Sequence, residues 1–107
     1  MDGDRTLLEK ATKAAGLHLV WNSECACYMR TDCIGTVPWN PLKNDGDALR
    51  LAVKLDMEVR INRVDEFSEV VFGYSVPMSV REIHATDPYA ATRRAIVRAA
   101  AAFSESP

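Results

Sequence analysis

The chain has 107 residues, 48% hydrophobic and 26% charged, with 13 Lys and Arg against 15 Asp and Glu for a formal net charge of −2. One domain of this length buries roughly 65% of the surface that its unfolded chain exposes, so it needs no staples, and the composition excludes a disordered chain. The near-balance of charge excludes nucleic-acid binding driven by a global basic excess, and equally a massed acidic shell, while no run of about 18 apolar residues is present to cross a membrane.

Asp4 is placed to cap a first helix over Arg5–Ala15, in which Leu7, Leu8, Ala11, Ala14 and Ala15 recur at the spacing of one buried face. Gly16 stops it, because glycine enters the left-handed conformation at little cost. Leu17–Trp21 reads as a strand, Asn22-Ser23 as a turn into a second, Cys25–Arg30, and Thr31-Asp32 as a turn into a third, Cys33–Val37. Pro38 and Pro41 exclude helix around Trp39, and Asn44 or Asp45 caps a helix over Gly46–Leu55 whose apolar face is Ala48, Leu49, Leu51, Ala52 and Leu55.

Met57–Val64 alternates, with Met57, Val59 and Ile61 facing one way and Glu58, Arg60 and Asn62 the other, as in a half-buried strand. Asp65–Ser68 reads as a polar turn, Glu69–Val76 as the next strand and, after the break at Pro77, Met78–His84 as the last. Met78, Val80 and Glu82 of that strand share a face. Asp87 caps the closing helix, Pro88 takes its first position, and Tyr89–Phe103 follows with seven alanines. Residues 1–3 and 104–107 are expected to fray. The order α-β-β-(β)-α-β-β-β-α, with strands joined by short turns, predicts a single α+β domain over residues 1–107. It would be an antiparallel or mixed β-sheet packed by three helices.

Little of this chain carries recognisable chemistry. Cys25 and Cys27 alternate along one strand face, Cys33 follows, and His18 lies on a neighbouring strand, which together would make a zinc set. The single-residue gap between Cys25 and Cys27 does not form a zinc knuckle, so no metal or other cofactor is expected. Met1–Lys10 is charged rather than apolar, unlike a secretory signal, which predicts a cytoplasmic protein with three buried thiols. His18 and His84 are the two imidazoles available as bases for a cysteine nucleophile, and no motif surrounds either. Asp45 and Asp47 flank Gly46 at a helix start, where carboxylates meet the positive end of the dipole.

Two clusters stand out as contact candidates. Asp65, Glu66 and Glu69 surround Phe67, an arrangement suited to a basic partner surface. Arg93, Arg94 and Arg98 share the last helix and form a candidate anion site, although such a trio is also the ordinary wet side of a helix. Trp39, held between two prolines, is expected to plug the sheet against the second helix, with a surface anchor as the alternative. Trp21 is also expected to pack. No phosphate-binding glycine loop, nucleophile elbow or paired-histidine zinc helix is present, and catalytic residues are expected to be absent.

Trp39-Asn40-Pro41-Leu42 with Asp45–Leu55, and the ending Asp87-Pro88 through Ala91–Ala100, resemble a family of small accessory proteins of bacteriophages and prophages, described as a phage α-β-α sandwich domain. The likeness runs in order through most of the chain, while residues 22–37 and 64–84 depart from it. The resemblance implies a fold and a setting inside a bacterial host cell, but no shared activity and no catalytic residue. Together with the small size, the missing catalytic signature and the mixed surface charge, it suggests a non-catalytic protein that binds a bacterial host component, for example an inhibitor of an antiviral defence system such as CRISPR, with Asp65, Glu66, Phe67 and Glu69 of the polar turn as candidate contacts. The alternatives are a small-molecule or nucleotide binder that sequesters a signal through Arg93, Arg94 or Arg98, an enzyme or metalloprotein built on the cysteines, and a phage structural or assembly protein.

Overall fold

The computed structural model describes residues 3–17, 19–24, 27–32, 35–73 and 77–104. Its first helix, α1 (Gly3–Ala15), ends on Gly16, where a φ of +70° turns the chain back on itself. The Gly16 N–H then reaches the Lys13 carbonyl at 3.2 Å and the Leu17 N–H that of Thr12 at 2.9 Å, the double closure of a Schellman motif. A second helix, α2 (Asp45–Lys54), closes in the same way through Asp56 to Val53 at 3.2 Å and Met57 to Ala52 at 3.0 Å. There the left-handed position, φ +54°, is held by Asp56 without glycine's freedom. Asn44 is the N-cap of α2, its side-chain oxygen accepting the Asp47 N–H at 2.9 Å. The third helix, α3 (Pro88–Ser104), starts as expected: Asp87 Oδ1 accepts the N–H groups of Tyr89 and Ala90 at 3.0 and 3.1 Å. The α1 and α3 helices include Gly3 and Ser104, two positions expected to fray by their nearness to the chain ends.

The strands form two sheets rather than one. β1 (Val20–Asn22), β2 (Cys27–Asp32) and β3 (Gly35–Trp39) make an antiparallel sheet in chain order, and β4 (Glu58–Asn62), β5 (Phe67–Phe72) and β6 (Met78–Ile83) make a second. Each set pairs through short connections, and α2 lies between the two sets in the chain, so local pairing is completed on either side of it. Pro38 is tolerated because β3 is an edge strand, paired to β2 on one side. The α+β class and the element order are as the sequence indicates. The turn before β5 differs: it occupies 63–66, and Phe67 and Ser68 belong to the strand. Ser68 reads as a turn residue by type, but its hydroxyl finds partners in His84 and Thr92 that no local pattern announces.

At the centre lies α3, which packs against α1, α2, β5 and β6. Ala91, Ala95, Ile96, Val97, Ala99, Ala100 and Ala101 are buried on it, so it is apolar around most of its circumference. Alanine at these positions, with Ala11 and Ala15 of α1, keeps side chains short where helices meet, and all but Ala91 and Ala101 join one core cluster with Leu8, Leu51, Leu55, Val70 and Phe72. Trp39 and Tyr28 bring the first sheet into that core, and Trp21 stands edge-on to Tyr28, with ring centroids 5.0 Å apart. The helix side of the second sheet carries Val59, Val70 and Val80 in register, while its other face is open to solvent. No helix among the described residues is long and apolar enough to cross a membrane.

Candidate functional site

Antiparallel register decides what the open face of the second sheet displays. Arg60, Glu69 and Arg81 lie abreast across β4, β5 and β6, and the adjacent row is Asn62, Phe67 and Ile83. Glu69 sits between its two neighbours, Oε1 at 3.5 Å from Arg60 Nη1 and Oε2 at 3.1 Å from Arg81 Nη2. Arg60 Nε also donates to Glu58 Oε1 at 2.7 Å, and the Arg81 guanidinium stacks 4.1 Å over the Phe67 ring. The hydrogen bond from Arg60, and then its charge, hold the Glu58 carboxyl below the usual carboxylate range, and Glu58 in turn raises Arg60. Exposed pairs of this kind add little stability individually. The cross-strand pairs of Glu69 with Arg60 and Arg81 link the three strands on this face.

The hairpin at the end of this face is tied by Asn62. Its Oδ1 accepts the N–H groups of Val64 at 3.0 Å and Asp65 at 2.9 Å, and its Nδ2 donates to Asp65 Oδ2 at 3.1 Å. Glu66 takes a left-handed φ of +59°, and its carbonyl accepts the His84 N–H at 2.8 Å. Phe67 and Glu69 therefore lie on the face, with Asp65 and Glu66 at its rim. The four sequence candidates share one end of one surface. Reading the sequence alone missed Arg60, Arg81 and Ile83 as their neighbours; strand alternation carried that signal, but the pairing register was needed to use it.

The three arginines of α3 are not brought together. Arg93 donates through Nε to the Leu42 carbonyl at 2.9 Å and through Nη1 to Asp45 Oδ1 at 2.7 Å. Arg94 reaches Asp4 of α1 at 3.1 Å, and Arg98 pairs with Glu82 of β6 and also reaches the Arg81 carbonyl at 3.3 Å. Each ties α3 to a different neighbour, and each already meets a carboxylate. Asp47, buried at the start of α2, is likewise engaged, accepting from the Asn40 N–H at 3.0 Å and from Arg50 at 2.7 Å.

His84 and Ser68 make the one close imidazole–hydroxyl contact among the described residues, with Nε2 2.8 Å from Oγ. The Thr92 hydroxyl donates to the Pro88 carbonyl at 2.7 Å, so at its 2.6 Å contact with Ser68 it must accept. Ser68 therefore spends its single proton on Thr92 and accepts from His84 Nε2–H. An imidazole that donates to a serine does not activate it as a nucleophile, and both side chains are buried. The chain His84–Ser68–Thr92–Pro88 fastens β5 and the end of β6 to the first turn of α3.

Cys27 takes part in a disulfide, which corrects the expectation of three thiols: an odd count leaves one cysteine over but does not keep the other two apart. Cys25, Cys33 and His18 lie outside the described residues. No group of three potential metal ligands occurs among the described residues. Compared with known protein families, curated proteins and solved structures, the chain matches none. The open face carries both signs of charge, one stacked ring and the exposed side chain of Ile83.

Proposed function

We propose that this protein is a non-catalytic binding module, a phage or prophage accessory protein that captures a bacterial host component, such as a protein of an antiviral defence system, through the open face of its second sheet. The observation that carries this reading is the Arg60–Glu69–Arg81 ladder beside Phe67 and exposed Ile83, a surface whose charged side chains are paired with one another across three strands. Charge of both signs on one face favours selective encounter over raw affinity. Ser68 and His84, the pair closest in type to a catalytic dyad, are committed to internal hydrogen bonds. The resemblance of Trp39–Leu42 with Asp45–Leu55, and of Asp87-Pro88 with Ala91–Ala100, to prophage accessory proteins supports the choice of partner class.

The test is affinity capture from bacterial lysate with the wild-type chain and the Glu69→Arg, Phe67→Ala and Ile83→Asp variants side by side. One stoichiometric protein retained by the wild type and lost from all three variants supports the reading. Equal retention by all four chains would refute this face as the interface.

A further inference from the structure

On the helix side of the second sheet, Ile61 of the β4 edge faces Ala48 and Leu49 of α2 and Pro88, Tyr89 and Ile96 of α3 across an open cleft of about 320 Å³. Leu49, Ile61 and Tyr89 are 63%, 57% and 66% exposed there. Scattered apolar side chains on a surface call for no explanation, but these converge on one hollow at the lower end of ligand-site sizes.

The polar groups around the cleft are mostly spent. Thr92 uses its hydroxyl on the Pro88 carbonyl, and Arg93 is held by Leu42 and Asp45, whose carboxylate it neutralises. The N–H groups of Tyr89 and Ala90 at the start of α3 are capped by Asp87. Arg63 is exposed at the cleft and has no hydrogen bond or ion pair among the described residues. What is left open is an apolar hollow with one free cation.

We propose that this cleft binds a small amphipathic anion, an aliphatic or aryl carboxylate whose apolar body rests on Leu49, Ile61 and Tyr89 and whose carboxylate pairs with Arg63. A single free guanidinium matches one carboxylate and lacks the converging donors that a polyphosphate needs. The site lies across the sheet from the partner-binding face and does not depend on that reading.

Isothermal titration and amide NMR of the full chain with decanoate, decanol and decyltrimethylammonium test the proposal. The expected order is decanoate tightest and the ammonium weakest, with shifts confined to residues around the cleft. Arg63→Gln should bring decanoate to the affinity of decanol, a loss of about two- to fivefold for an exposed ion pair. Leu49→Glu, at a surface position that leaves the core intact, should remove decanoate binding by more than about tenfold, and Ile83→Asp on the opposite face should leave it unchanged. Equal affinity for all three probes would overturn the carboxylate assignment. Binding that survives Leu49→Glu, or sedimentation showing a dimer that Leu49→Glu dissociates, would overturn the site, the latter by assigning the cleft to a second copy of the chain.

Discussion

Replacing Ser68 with Ala tests the proton chain that ties the second sheet to α3. Ser68 is fully buried and His84 is 4% exposed, so water cannot replace the lost hydroxyl. The substitution deletes two hydrogen bonds, of 2.8 and 2.6 Å, and leaves the His84 Nε2–H buried without an acceptor. An orphaned buried donor costs about 1–3 kcal/mol, against about 1 kcal/mol for a bond whose partners both remain solvated. We therefore expect about 2 kcal/mol of lost stability in urea unfolding, or roughly 8–16 °C in Tm for a domain of this size. Thr92→Val orphans the Ser68 hydroxyl instead, and because the Ser68–Thr92 bond is lost only once, the double variant should cost about 1 kcal/mol less than the sum. The direction of the chain has its own readout, since imidazole ¹⁵N shifts of His84 should report a proton on Nε2. A cost below about 0.5 kcal/mol for Ser68→Ala, or a ring protonated on Nδ1 alone, would refute the reasoning.

The two left-handed helix ends predict opposite outcomes. No neighbour lies within 4 Å of a Cβ added at Gly16, so Gly16→Ala should destabilise by about 1 kcal/mol through backbone conformation alone, while Asp56→Gly should stabilise by about 0.5–1 kcal/mol, both read as shifts in the urea midpoint at constant m-value. Asp87→Ala removes the N-cap of the central helix and should cost about 1 kcal/mol, whereas Asp87→Asn should cost much less; equal losses would point away from capping. The Glu58 carboxyl has a lowered folded-state pKa, caused first by its hydrogen bond from Arg60 and then by that charge. Its contribution to stability is thus present above the unfolded pKa and fades as pH falls through the folded value. In a ¹³C NMR titration, Arg60→Gln should move the Glu58 midpoint upward, and an unmoved midpoint would remove Arg60 as the cause.

The sequence by itself determined the type and order of the local elements of this protein but not all of their ends: Thr31 and Asp32, which read as a turn, belong to β2, and Asp4, which reads as a cap, lies within α1. Three helix boundaries were legible because their signals are short-range: Asp87-Pro88 starts α3, Asn44 caps α2, and Gly16 ends α1, each through contacts within a few residues. The alternation of Met57–Val64 likewise assigned β4 and its two faces. The end points of β5 were not legible, because Ser68 is polar by type and buried by virtue of His84 and Thr92, 16 and 24 residues away. For the same reason Arg93, Arg94 and Arg98 look in sequence like one cationic face, whereas Asp45, Asp4 and Glu82 draw them to three separate neighbours.

Only the tertiary structure decided the division into two sheets, the central place of α3, the disulfide at Cys27, and the surfaces available for binding. Both surfaces arise from long-range pairing. The strand register places Arg60, Glu69 and Arg81 in one row, and the packing of α2, β4 and α3 gathers Leu49, Ile61 and Tyr89 around one hollow. Propensity and capping act within a turn of the backbone. Register, burial and side-chain partnership are set by contacts between residues far apart in the chain, which no single stretch of sequence encodes.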